Sequence, residues 1–135
     1  MDRKISGAEQ TGNLGGMINI SFQTKESYTP CVKSVLDYLD ANFSENISIA
    51  QLSSALFISR YYLMRIFKQE TGKTIHEYLT EQRMRTAAGM IRSGYTIFDI
   101  VEVVGYSDYS LFYKNFCKYM GVSPKKYQKQ VQIMS

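Results

Sequence analysis

From Pro30 onward the apolar residues recur at helical spacing. Val32, Val35, Leu36, Leu39 and Phe43 form a stripe at i, i+3, i+4 and i+7, and Pro30 suits the first turn of that helix. Ser48 is placed to cap a second helix with Ile49, Leu52 and Leu56 facing inward. A turn at Phe57 and Ile58 leads to Ser59, another cap, and to a helix carrying Leu63, Ile66 and Phe67 that Gly72 ends. Thr74, with Glu77 as its capping-box partner, opens a long helix to about Ser93. At about 20 residues that helix spans roughly 30 Å. Gly94 stops it, and Thr96 caps a short helix bearing Ile97, Ile100, Val103 and Val104. Gly105 turns the chain, Asp108 caps a helix with Leu111, Phe112 and Phe116 on its inner face, and Gly121 ends it. Ser123 and Pro124 open a last short helix with Tyr127 packing back. The predicted fold is all-α, with about seven helices and no sheet.

Residues 1–29 lack this period. They hold Gly7, Gly12, Gly15 and Gly16 among many polar residues, and the weak alternation of MINISF (17–22) is a lone strand with nothing to pair with. A flexible tail or linker is expected there. Within the helical region a single pattern occurs twice, 49 residues apart: Phe67, Gly72, Thr74, Tyr78, and again Phe116, Gly121, Ser123, Tyr127. Self-similarity of this kind marks one supersecondary unit used twice. Each copy follows a basic, aromatic helix, ISRYYLMRIFK (58–68) and YSDYSLFYKNFCK (106–118). The expected organisation is a domain over 30–130: a first helix-turn-helix subdomain (30–73), a linking helix (74–93) and a second helix-turn-helix subdomain (94–130), then a tail over 131–135.

Charge follows the repeat. Segments 1–30, 31–58, 59–93, 94–107 and 108–135 carry net charges of 0, −2, +4, −2 and +4. The positive charge is therefore concentrated in the two segments that hold the basic helices. A hydrophobic share of 44% with seven Phe and eleven Tyr is ample for a core, and no apolar run approaches the roughly 18 residues of a membrane span. Cys31 and Cys117 lie 86 residues apart without ligand spacing, which suits reduced thiols in a cytosol. A soluble, cytoplasmic protein with no membrane partner is expected.

Two like basic helices in one small chain suit a ligand with a repeating surface, and double-stranded DNA is the commonest. In a helix-turn-helix the second helix enters the major groove. Removing the core positions leaves Arg60, Tyr61, Met64, Arg65 and Lys68 outside in the first unit. In the second it leaves Tyr109, Tyr113, Lys114 and Lys118, with Ser110 on the face that differs between copies. Arg65 and Lys114 are equivalent and can donate to guanine or to phosphate. Lys68 and Lys118 are candidates for phosphate. Ser48, Thr74, Thr96 and Ser123 cap helices whose backbone N–H groups can also meet phosphates, though plain capping explains them equally well. A single amphipathic hairpin with an outer Arg and Lys is most often only a solvated surface; two with matched charge and matched closing motifs are less easily explained so. His76 is the only His, so no His-based metal site or triad is legible; no cofactor, metal or catalytic residue is expected.

These residues resemble a family. Ser59, Leu63, Arg65, Phe67, Lys68, Gly72, Tyr78, Leu79, Arg83 and Ala87, then Ile100, Val104, Gly105, Tyr106, Phe112, Phe116, Lys118, Gly121, Ser123, Pro124 and Tyr127, match the C-terminal DNA-binding domain of AraC/XylS-type bacterial transcription regulators. The resemblance covers Pro30 to Gln128. It implies two helix-turn-helix subdomains bridged by the long helix and reading adjacent major grooves. It also implies transcriptional control, usually activation, through contact with RNA polymerase. The implied base-reading residues are Arg60, Tyr61, Met64 and Arg65 in one unit and Tyr109, Tyr113 and Lys114 in the other. The chain departs from the pattern at Ser53 and Val101, where Ala is favoured, and at Phe57, where Gly is common. Cys117 and Gln128 stand where basic residues are usual.

Most relatives carry a sensor or dimerisation domain ahead of this one, so the chain is either a minimal regulator or a DNA-binding piece of a longer protein. By itself the domain is expected to be monomeric. Because the scaffold repeats and the outer faces differ, the expected site is two unlike boxes, held about one turn of DNA apart by the long helix, roughly 34–36 Å. The alternative is a helical interaction module that docks on RNA polymerase or another regulator without DNA.

Overall fold

Seven helices make up most of residues 28–134, the stretch of the chain that the structure, a computed structural model, describes. They are α1 (Pro30–Ala41), α2 (Ile49–Ala55), α3 (Arg60–Thr71), α4 (Ile75–Arg92), α5 (Ile97–Val103), α6 (Tyr109–Met120) and α7 (Pro124–Met134). The segment expected as a tail, MINISF included, lies outside the described residues apart from its last two positions. No strand occurs among the described residues.

The expected caps form. Ser48, Ser59, Thr74, Thr96 and Asp108 each accept a hydrogen bond from a backbone N–H in the first turn of the helix that follows. Glu77 completes a capping box with Thr74, and donation from the Thr74 backbone N–H holds its carboxyl below the usual range. Thr29 precedes α1 without a side-chain cap, and its backbone N–H donates to the Glu70 carboxylate at 2.9 Å, fastening the start of the domain to α3.

The 49-residue repeat is a repeat of geometry. Gly72 and Gly121 end α3 and α6 in the left-handed region, with φ of 82° and 80°. Thr74 and Ser123 restart the chain, and Tyr78 and Tyr127 return one turn later to meet the Phe of their own copy. The Phe67–Tyr78 and Phe116–Tyr127 ring centroids are 6.0 and 5.8 Å apart, both edge-on. Each Tyr hydroxyl then finds a separate polar partner: Tyr78 donates to Asp40 at 2.9 Å, while Tyr127 accepts from Arg92 at 2.6 Å.

Two hydrophobic cores result, and α4 supplies both. Ile75 and Leu79 pack with Val32, Val35, Leu39, Leu63 and Phe67. Met84, Ala87, Ala88 and Ile91 pack with Ile100, Val104, Tyr106, Phe112 and Phe116. At about 100° per residue the first pair and the later four point to nearly opposite sides of the helix. Phe43, just past α1, touches both clusters. With 18 residues α4 is about 27 Å long, slightly shorter than the sequence suggests.

Three details differ from the periodicity. Leu111 is 47% exposed, not on the inner face of α6, because the buried stripe is Phe112 and Phe116 and Leu111 lies about 100° round from it. Val103 likewise points outward. The last helix runs to Met134, beyond the boundary at 130 that the sequence suggests, because Val131 continues the Pro124–Tyr127 stripe onto the second core. Ser53, which stands where Ala is favoured, is buried, and its hydroxyl donates to the Ala50 carbonyl at 3.0 Å.

The two helix-turn-helix turns share their hydrogen bonds. Phe57 and Ile58 donate to Ser54 and Ser53; Gly105 and Tyr106 donate to Glu102 and Val101. Phe57 occupies the position of Gly105 and, like it, has a positive φ, 59° against 99°. Its ring is 94% exposed, so no packing offsets the strain. Phe57→Gly is therefore expected to stabilise the fold by about 0.5–1 kcal/mol in urea denaturation, the relief of left-handed strain exceeding the entropy that Gly adds to the unfolded chain.

Tyr78 provides a second test. Burial, then the hydrogen bond to Asp40, pushes its phenol up to about 12. Since the folded state holds this proton more tightly than the unfolded chain, whose phenol titrates near pH 10, the associated stability is full below about pH 10 and lost as pH rises towards 12. Melting followed from pH 9 to 12 should show a shallower alkaline decline in Tyr78→Phe than in the unaltered chain.

Candidate nucleic-acid interface

On α3, Leu63 and Phe67 are fully buried, and Tyr61, Met64, Arg65 and Lys68 lie on the opposite side, all exposed. Arg60 is exposed at the first helical position, directly after the Ser59 cap. The Arg65 guanidinium sits 6.0 Å from the centre of the Tyr61 ring and 5.6 Å from that of Tyr62. Exposed contacts of this kind are worth about 0.5–1 kcal/mol, enough to bias the side chain without locking it. Arg65 is thus held outward as a planar donor that can still swing to a ligand. Tyr62, 38% exposed, is the neighbour that the sequence reading passed over; its i−3 spacing from Arg65 was the available signal.

On α6 the corresponding side presents Ser110, Tyr113, Lys114 and Cys117, with Tyr109 at the helix start. Tyr109, Ser110, Tyr113 and Lys114 are exposed, as expected of them. The Tyr109 ring lies 5.9 Å from Tyr113 and 6.2 Å from Phe112, which continues to Phe116 at 5.7 Å. An aromatic row thus runs from the surface into the core and stiffens the outer rings. The Cys117 sulfur, one turn along, pushes the Tyr113 phenol above its ordinary range, electrostatically first and then by a hydrogen bond. Leu111 joins the exposed surface at the position equivalent to Tyr62.

The candidate phosphate contacts divide into groups. Ser48, Thr74, Thr96 and Ser123 accept from the N–H of Gln51, Glu77, Asp99 and Lys126 at 3.0 to 3.2 Å, so all four cap their helices. Their hydroxyl hydrogens stay available. Beside Thr74 and Thr96, however, the first turn carries Glu77 and Asp99, whose charge opposes a phosphate, whereas the first turns after Ser48 and Ser123 carry no acidic residue. Lys68 and Lys118 are both exposed but are not equivalent. The repeat pairs Lys68 with Cys117 and Lys118 with Gln69, about 100° round the helix. Lys118 rests 5.8 Å from the Tyr119 ring. The outer side of α3 therefore carries more positive charge than that of α6.

Behind these faces lies a polar junction that the linear sequence does not reveal. Arg83 of α4 donates through Nε to the Phe43 carbonyl at 2.6 Å and through Nη2 to the Glu45 carbonyl at 3.0 Å. Its guanidinium also stacks 5.3 Å from the centre of the Tyr106 ring. Nearby, Glu81 bonds Lys73 and Arg85, and the Lys73 hydrogen bond holds its carboxyl below the usual range. Among the described residues no group of three potential metal ligands occurs, and no helix is long and apolar enough to cross a membrane.

Comparison with known proteins agrees with this geometry. A family model described as a helix-turn-helix domain matches residues 52–130. The chain is 30% identical over 101 residues to the transcriptional regulatory protein HptR of Staphylococcus aureus, covering 75% of this chain and 40% of that protein. Among solved structures it is similar to the C-terminal domain of AraT, a response regulator from Geobacillus stearothermophilus, with a TM-score of 0.73 and 34% identity over 77% of this chain and 88% of that one. The DNA-binding domain of AdpA, solved in complex with a target DNA, matches 78% of this chain and 96% of its own at a TM-score of 0.72; at 19% identity that likeness is one of fold alone. The chain spans about two fifths of the length of the curated relatives it matches.

The unequal charge of the two outer faces generates a prediction. Cys117→Lys restores at α6 the cation that Lys68 supplies at α3. It should tighten binding to duplex DNA of any sequence and steepen the dependence of log K on log salt by about one unit, as one further neutralised phosphate requires. Titrations at several salt concentrations would read this directly, and an unchanged slope would place position 117 away from the DNA backbone.

Proposed function

We propose, for a chain that belongs to the AraC-type helix-turn-helix family of DNA-binding transcription regulators, that α3 and α6 read two unlike boxes in adjacent major grooves on one side of a duplex. The observation that carries this reading is the contrast within the repeat. The Phe, Gly, Ser/Thr and Tyr positions have the same geometry in both copies, while the exposed faces differ, Arg60, Tyr61, Met64 and Arg65 against Tyr109, Ser110, Tyr113 and Lys114. A repeated scaffold with divergent outer residues suits one continuous, non-palindromic site.

In this reading Arg65 and Lys114 donate to guanine or phosphate, and Tyr61, Tyr109 and Tyr113 pack on thymine methyls and sugars. Lys68 and Lys118 contact the phosphate backbone, helped by the helix starts at Ser48 and Ser123, with Thr74 and Thr96 the weaker candidates beside their carboxylates. The DNA-binding region acts as a monomer in the cytoplasm and carries no catalysis. Its output, by analogy with regulators of this type, is activation through contact with RNA polymerase.

Selection from a random duplex library should return two dissimilar boxes about one helical turn apart. Arg65→Ala should cost about 1–3 kcal/mol at one box and relax its base preference while the other box is read as before. An unchanged preference at both boxes would remove Arg65 from the reading face. Failure of the unaltered chain to retard any duplex at low salt would favour a helical interaction module instead.

A further inference from the structure

The contacts of Arg83 join the loop that follows α1 to the turn that precedes α6. Phe43 and Glu45, whose carbonyls it holds, lie in the loop between α1 and α2. Tyr106, on which it stacks, lies in the turn that delivers α6. From Tyr106 the connection continues into α6 itself: Asn115 Nδ2 donates to the Tyr106 hydroxyl at 2.9 Å, and the Tyr106 ring meets Phe112 edge-on at 5.8 Å. A second contact runs beside the first. A Cβ on Gly105 would stand 2.7 Å from the Ser44 carbonyl oxygen, so the turn before α6 lies against the backbone of the loop after α1. These are direct bridges between the halves that do not depend on the length of α4.

We propose that Arg83 is the positioning residue for the second recognition helix. By gripping the α1–α2 loop and the α5–α6 turn together, it sets the angle and separation of the two reading faces and hence the number of base pairs the domain accepts between its boxes. The fork of the guanidinium suits this role: two N–H groups reach two carbonyls in one plane while the flat face covers an aromatic ring. A lysine keeps the charge but cannot make both bonds and the stack. Arg83 need not touch DNA, and its effect reaches the bases through Tyr106, Asn115 and Phe112. Rotation matters as much as distance, since each base pair turns the groove by about 34–36° at 10–10.5 base pairs per turn.

The inference rests on the two-box reading proposed above, so the test separates the two. A duplex selected with the unaltered chain is rebuilt with one or two base pairs inserted or removed between the boxes, and a further duplex keeps the first box alone. The unaltered chain is expected to bind the selected spacing at least tenfold more tightly than its neighbours. Arg83→Lys should flatten that profile, reducing the preference to about threefold or less, with affinity for the single-box duplex unchanged. Tyr106→Leu, which removes the ring and the acceptor for Asn115 but leaves Arg83 its carbonyls, should flatten it in the same direction. Circular dichroism melting identifies a variant that fails to fold, and the profile is then read from the other.

A uniform drop at every spacing with the same optimum would overturn the proposal and make Arg83 a stabilising residue only. A flat profile in the unaltered chain would also overturn it, because no fixed spacing would exist to set. If selection returned a single box, or none, the two-box reading itself would fail.

Discussion

The α4 helix is asked to be apolar on one side in its first half and on nearly the opposite side in its second. Ile75 and Leu79 commit the start of the helix to one core, and Met84, Ala87, Ala88 and Ile91 commit the rest to the other. A straight α-helix transmits orientation along its length because every backbone bond is internal. The two helix-turn-helix units therefore cannot be placed independently: each is packed around a different side of the same rod. Phe43, Arg83 and Gly105 then limit rotation about that rod by tying the units together off the axis. The arrangement fixes two helices of one chain relative to each other, the role that dimerisation plays for a pair of helix-turn-helix subunits.

Within each unit, the buried and the outward positions are separated by the helix period. On α3 and α6 the stripe facing inward ends in a Phe that meets a Tyr from the following helix, and this pairing is the same in both copies. The opposite stripe is largely exposed and differs between the copies. On α3 it is cationic, with Arg65 held between two Tyr rings; on α6 it is aromatic, with Lys114 its main charge and Cys117 where a Lys stands in the other copy. Positive charge and aromatic surface are thus shared unequally between the two outward faces.

Most of the fold was legible because helix boundaries are local chemistry. Ser48, Ser59, Thr74, Thr96 and Asp108 cap the helices their sequence positions announce, since a side-chain oxygen two or three residues before an orphan N–H can reach it whatever the rest of the chain does. The outward placement of the candidate reading residues was legible for a similar reason, core positions being counted off at 3.6 residues per turn. Leu111 shows where counting fails. An apolar residue beside two buried Phe reads as core, yet the stripe is narrow and only neighbours in space decide which side of Phe112 it covers. Phe57 was legible as a residue standing where Gly is common, and its exposed ring does occupy a left-handed turn, dictated by the hydrogen bonds from Phe57 and Ile58 to the end of α2.

The sequence by itself determined the seven helices, the repeat, the residues that close each unit and, Leu111 apart, the outward faces of α3 and α6. All of these follow from interactions within a few residues or from a period along one helix. Only the tertiary structure decided which side of α4 serves which core, that Gly105 must pass within contact of the Ser44 backbone, and that Arg83 joins a loop some forty residues before it to a turn some twenty residues after it. Those relations link residues far apart in the chain, and no local propensity encodes a contact whose two partners are brought together only by folding.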